Sequence, residues 1–508
     1  MSIENATRQN LPDASGSLPM GLRYNMGVTD GVPARRNLQK YTAENTSTFT
    51  GTTNNVVRIP VSSGMFLDLP NAVLELDFKN TTDADINFDG SVAGIIQRLR
   101  ILSTAGQEIE RLDQYGQLDS VLTQYSSNLT SLVGDGALDG GCQRIQNNPK
   151  IAKLSEVPSE FDDAVVVPDG SNITGCDGTR YEMKAAFGGN FEINNKYGGR
   201  GWVQEESERI ETTIERHYTI NIRGGFFNPS SARMLPPNVG FVLELTLANG
   251  ANCLVTSGTT AQYEATNFQL SVPAVQILDN AMMERLNARL RSGVTFRGTT
   301  FHHHVSTMTG GTGKSSLAIG ERSQVLKGLF SIIRNQANVA NKLKFKLSKR
   351  TIEDIENYQY QIGSTLYPSQ QCDIYTSGGT YLTQAQRFPN KGTTSINVSE
   401  AYTECLRLFG GLNSSLGTCA IGVEPYGHSE AGNGAGLIAI DLSAYSDGSV
   451  SSGINTAENS LPVNLNIQRN NAGTGLTLQV DTYSVSEIMF GIDANGILMS
   501  SSLSLIHI

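Results

Sequence analysis

Apolar and polar side chains alternate one for one in stretch after stretch of this sequence, and few of those stretches are separated by anything with the spacing of a helix. "VVRIPV" (56–61), "AVLELDF" (72–78) and "IIQRLRIL" (95–102) set the pattern, and "HYTINI" (217–222) and "GFVLELTLA" (240–248) resume it. A period of two puts alternate side chains on opposite faces, so each stretch reads as a strand with one face buried. A second block opens near "YEATNFQLSV" (263–272) and continues through "VTFRGTTF" (294–301), "KGLFSIIR" (327–334), "KLKFKL" (342–347) and "YQYQIG" (358–363). "GLIAIDL" (436–442), "LPVNLNI" (461–467), "LTLQVDTY" (476–483) and "EIMFGI" (487–492) complete it. A parallel α/β fold needs a helix after nearly every strand, and those helices are missing.

Helical spacing occurs where it does not follow that rule. "GQEIERLDQYGQLDSVLTQY" places Ile109, Leu112, Tyr115, Leu118, Leu122 and Tyr125 on one face. Leu278, Met282, Leu286 and Leu290 form a second such face, with Gly293 just past its end. In "SEAYTECLRLFGG", Ser399 is the expected N-cap, Tyr402, Cys405, Leu406 and Phe409 line one face, and Gly410 and Gly411 stop it. The predicted fold is mainly β: two tandem antiparallel sandwiches of the jelly-roll kind, with a few short helices and long surface loops. The expected division is an extended N-terminal arm at 1–50, a first sandwich at 51–255 with long loops at 128–205, and a second sandwich at 256–508.

With 508 residues the chain has room for two domains of this size, and an apolar fraction of 39% supplies their cores. Charged residues make up only 17%, below the roughly 25% of ordinary soluble domains, and Ser, Thr, Asn and 52 glycines take up the share. A net charge of -10 argues against a dedicated nucleic-acid binder. No apolar run is long enough for a spanning helix, and "MSIENATRQNLPDASGSLPM" lacks the layout of a signal peptide, so folding in cytosol is expected. On that expectation the sequons at Asn128 and Asn172 are chance matches. Cys142, Cys176, Cys253, Cys372, Cys405 and Cys419, in no zinc spacing, are then free and mostly buried thiols.

Several motifs invite a chemical reading. "TMTGGTGKSS" (307–316) ends like a phosphate-binding loop, but with Lys314 as its lysine the first glycine should stand at 308, which is Met308. No helical spacing follows, so the stretch is expected to be a turn between strands. In "FHHHV", His302 and His304 share a strand face and could share a metal, whereas His303 points the other way. The plainer expectation is a polar edge or inter-subunit surface titrating at about pH 6. "KLKFKLSKR" reads as a half-buried strand with Lys342, Lys344 and Lys346 as a solvated stripe, or as contacts to an acidic neighbour, anionic lipid or packaged nucleic acid. The Arg-Gly-Gly of "NIRGGFF" (221–227) is expected to be a turn. No nucleophile–base constellation is present, so no catalytic, cofactor-binding or metal residue and no cofactor is assigned.

Five segments taken together resemble the double jelly-roll major capsid proteins of icosahedral DNA viruses, nearest to those of virophages and polinton-like viruses and farther from the large nucleocytoplasmic viruses. They are "LRILSTAGQEIERLDQYGQL", "YTINIRGGFFNPSSARMLPPNVGFVLELTLA", "GERSQVLKGLFSIIR", "YQYQIGSTLYPSQQ" and "SEAYTECLRLFGG". They occur in the family's order from about residue 55 onward, while the 128–205 loops and "TMTGGTGKSS" match no part of its pattern. The resemblance implies a structural, non-enzymatic protein of the virion, made and assembled inside the host cell. It also implies homotrimers of pseudo-hexagonal outline that tile a shell enclosing the genome. The partners it implies are further copies of the chain, penton and minor capsid proteins, and an internal membrane or packaged DNA met by the N-terminal arm or inner face. The alternative is a carbohydrate-binding β-sandwich, which would be expected to carry aromatic platforms on its loops; the one tryptophan is Trp202.

Overall fold

The computed structural model describes residues 33–126, most of 209–374, 399–410, 435–444 and most of 452–501, with short pieces at 138–139, 172–174, 180–182 and 426. The principal strands of the first half are β1 (Ala34–Thr42), β2 (Val56–Val61), β3 (Val73–Asn80), β4 (Ile96–Ser103), β5 (Glu108–Asp113), β6 (Glu215–Asn221), β7 (Phe241–Leu247) and β8 (Tyr263–Ile277). Those of the second are β9 (Val294–Met308), β10 (Gly313–Ile319), β11 (Leu326–Asn335), β12 (Ile355–Ile362), β13 (Thr365–Asp373), β14 (Ile438–Asp441), β15 (Val463–Arg469) and β16 (Leu478–Ile492). Among the described residues the longer helices are α1 (Tyr115–Ser126), α2 (Asn280–Leu290) and α3 (Ser399–Leu408).

The strand order is the same in both halves. In the first, β1-β8-β3-β6 form one sheet and β2-β7-β4-β5 the other; in the second, β9-β16-β11-β14 face β10-β15-β12-β13. All these pairings are antiparallel. Each half is therefore a jelly roll, and the chain is a double one. Strict alternation drives it: β3 and β7 bury every second side chain, with Leu74, Leu76 and Phe78 meeting Leu243 and Leu245 in one core.

Three expectations change. The stretch expected to be an arm enters the fold by Ala34, because β1 pairs along its whole length with β8, from Ala34 opposite Ile277 to Thr42 opposite Gln269. β1 exposes most of its side chains, which is why its sequence carries no apolar alternation. "YEATNFQLSV", expected to open the second half, lies in β8 and pairs with β3, so it closes the first half instead. Finally, Ile109 and Leu112 lie on a strand. Gly106, at φ +83°, turns the chain back so that β5 pairs with β4, and the helix starts only at Tyr115.

The other two helices fall where expected. α2 ends at Leu290, and Gly293, at φ +81°, donates its N–H to the Leu290 carbonyl. α3 stops at Gly410, at φ +71°. α1 and α3 occupy equivalent places, each after the fifth strand of its half. Apart from the hairpin strands at 172–174 and 180–182, almost all of the 128–205 loops lie outside the described residues.

Candidate functional site: the seam between the halves and the histidine cluster

α1 carries Gln117, Asp119, Ser120 and Gln124, yet all are buried, because the helix is covered by the second half as well as by its own. Tyr125 of α1 packs its ring 5.3 Å from Phe409, just past α3, and its hydroxyl donates to the Ala435 carbonyl at 2.8 Å. Gln124 Nε2 donates to the Ser348 carbonyl at 3.1 Å, and its oxygen accepts from Arg350. From β16, the Tyr483 hydroxyl donates to the Gln114 carbonyl at 3.2 Å. Buried polar groups of this kind need partners, and here the opposite half supplies them.

The seam is closest at two glycines. A Cβ on Gly298 of β9 would lie 2.3 Å from the Gly225 carbonyl oxygen, so only glycine lets the two backbones meet. Beside them Phe226 packs against Phe241 of its own half at 5.0 Å and Phe490 of the other at 5.5 Å. Glu110 of β5 fixes the loop by accepting the N–H groups of Gly225 at 2.8 Å and Phe226 at 2.9 Å. Burial raises the Glu110 pKa against those hydrogen bonds and one from Thr300 of β9.

The stretch "KLKFKL" is a loop plugged into the first half, not a strand with a basic stripe. Asp89 accepts the backbone N–H groups of Lys346 at 2.5 Å, Leu347 at 2.8 Å and Ser348 at 3.2 Å, which removes them from any sheet. Lys346 is 1% exposed and donates from Nζ to the Leu254 carbonyl at 3.1 Å; burial pulls its pKa down against the charges of Asp89 and Cys253. Lys342 donates to the carbonyls of Gly258 and Thr259, and Lys344 lies outside the described residues. An acceptor at residue 89 is invisible in a local pattern, which is why alternation misleads here.

The histidines of β9 divide between the two faces as the alternation requires. His302 Nδ1 lies 3.2 Å from both oxygens of Glu321, and His304 Nε2 lies 3.2 Å from Oε2 of the same carboxylate. What the pair shares is this buried carboxylate, which also accepts from Ser484. His303 Nε2, on the other face, lies 2.9 Å from Asp481 Oδ1, and Asp481 Oδ2 accepts from Arg334 at 2.7 Å. Burial alone would raise both carboxyl pKa values. Histidine hydrogen bonds outweigh it, joined at Asp481 by the Arg334 charge, and hold both well below their ordinary values. Sequence reasoning missed Glu321, which sits in a featureless loop. Asp481 had a signal, a lone acid inside the strand "LTLQVDTY".

Elsewhere, Lys314 sits near the start of β10, a strand paired with β15, and not at the head of a helix, so no phosphate-binding loop forms. Arg223 of the Arg-Gly-Gly stretch turns inward, its backbone N–H on the Tyr115 hydroxyl at 2.8 Å and its guanidinium on Asp119 at 3.0 Å. Cys253, Cys372 and Cys405 are free and buried; Cys142, Cys176, Cys419 and Trp202 lie outside the described residues. Among the described residues no helix is long and apolar enough to cross a membrane.

No family model and no curated protein matches the sequence. Solved structures match along nearly the whole chain. The Faustovirus major capsid protein is 8% identical with a TM-score of 0.55, over 96% of this chain and 94% of that one. A chain of the Sputnik virophage structure is 12% identical with a TM-score of 0.51, over 96% and 91%. A chain of the PBCV-1 virus capsid is 10% identical with a TM-score of 0.50, over 94% and 99%. At such identities the likeness is one of fold: the chain has the double jelly-roll architecture of icosahedral-virus major capsid proteins. The carbohydrate-binding alternative gains no support from these neighbours.

Proposed function

We propose that this chain is a major capsid protein, a structural and non-enzymatic component of an icosahedral virion. The observation that carries the reading is the duplication itself: the same eight-stranded order occurs twice in one chain, and the copies are fused through a buried seam. Two quasi-equivalent halves per chain and three chains around an axis give a pseudo-sixfold unit, which tiles a flat facet without gaps. The capsid-protein structures that share this architecture end to end support the same reading.

On this proposal the partners are further copies of the chain, in the trimer and between trimers, with penton and minor capsid proteins at other lattice positions. An internal membrane or packaged DNA would meet the inner face or the residues before β1. We place the division of the chain within 278–293, so that β1 to β8 make one unit, β9 to β16 the other, and α2 lies between them. The test is the solution mass of the purified chain by light scattering. A species of about 164 kDa, three times 54.7 kDa, is expected. A monomer at all concentrations would count against the capsomer.

A further inference from the structure

We propose that the charged cluster on β9 is an acid-tightened latch, in which His302 and His304 close on Glu321, and His303 closes on Asp481, to hold this strand against the body of the molecule. Among the described residues β9 pairs only with β16, and none of them forms a ladder on its other edge. Its middle is held, besides the β16 ladder, by three consecutive side chains that grip both faces of the sheet.

The groups facing the cluster come from each element packed on it. The segment after β10 brings Glu321, 1% exposed at its side chain; β16 brings Ser484 and Ser486 on one face and Asp481 with Tyr483 on the other. β11 brings Arg334, which reaches Asp481 and the Lys346 carbonyl, and behind it stand Lys346 and Asp89. β5 brings Glu110 from the first half, bonded to Thr300 and acting on His302 by its charge.

The two carboxylates differ in one respect. Asp481 has a permanent cation in Arg334, whereas the ion pairs of Glu321 among the described residues are to His302 and His304 alone. The charge of Glu321 is therefore matched only when an imidazole is protonated.

The direction of the pH effect follows from these placements. Burial would lower the His302 pKa, but the hydrogen bond and charge of Glu321 outweigh it and raise the pKa above 6.5. Its contribution is fully present below 6.5 and is lost as pH rises through the folded value. Glu110, raised by burial, acts in the same sense: its contribution is present below 4.5 and lost as pH rises through its folded value. Glu321 and Asp481, both lowered, contribute above 4.5 and 3.8 and lose that contribution as pH falls through their folded values. The latch is tightest between about pH 4.5 and 6.5 and loosens toward alkaline pH.

The experiment is equilibrium unfolding in denaturant at steps from pH 5.5 to 8.5, on the wild type and on the H302Q/H304Q double variant. A general gain toward the isoelectric point of about 5.2 is common to both proteins and drops out of the comparison. The wild-type folded state is expected to take up more protons on folding than the variant does, read from the slope of stability against pH. Equal slopes would overturn the proposal. If the variant does not fold, the wild type labelled at its histidine ring carbons decides: at least one imidazole of the cluster must titrate above 6.5, and a protein whose six histidines all titrate at or below that value has no such latch. Neither readout depends on whether the chain builds capsids.

Discussion

Single residues carry the seam. Gly298 and Gly225 are ordinary glycines in the sequence, but each sits where a Cβ would strike the other's backbone or its neighbour's. Gly298→Ala is expected to lower stability by about 1–3 kcal/mol through overpacking at this contact. The denaturant midpoint checks it, and an unchanged midpoint would mean that the two backbones can part without loss. The histidine triplet shows how far one residue can be read. Alternation alone separates His303 from its two neighbours, and the structure keeps that separation. That the shared partner is Glu321 could not be read, because the contact depends on how the segment after β10 returns across the sandwich.

At the scale of elements, sequence spacing succeeds where an element buries one face and fails where it is clasped from several sides. β3, β7 and β15 alternate cleanly because solvent lies on one side and core on the other. Residues 342–347 alternate just as cleanly and form no strand, since Asp89 takes three successive backbone N–H groups that a ladder would need. Asp89→Ala leaves those donors without their acceptor and removes the negative charge that acts on the buried Lys346 ammonium. A loss of about 3 kcal/mol or more is expected, since each buried donor left unpaired costs about 1–3 kcal/mol. Thermal unfolding of the variant measures it, and a change below about 1 kcal/mol would show that water replaces the carboxylate.

The whole molecule behaves as one body because the apolar cores of its halves form one buried cluster and polar groups cross between them. α2, which joins the halves, is by contrast only half-buried along its apolar side. Cutting the chain at a protease site inserted between Arg291 and Val294 is therefore expected to leave the halves bound under native conditions. Size-exclusion chromatography after cleavage checks this. Separation into two species would mean that the linker, and not the seam, holds the halves together.

The alternation of side chains was enough, by itself, to determine that this chain folds as two antiparallel sandwiches, because burial of one sheet face is a local demand that each strand writes into its own sequence. Glycine ends α2 and α3 for an equally local reason, the left-handed backbone that stops a helix. Which strands join which half was decided only in three dimensions. β1 carries no apolar signature and is recruited by the open edge of β8, and β8 itself reads equally well as the end of one sandwich or the start of the next. The seam, the loop on Asp89 and the carboxylates beneath the histidines belong to the same class. Each pairs groups distant in the chain, and a partner that distance supplies leaves no period to read.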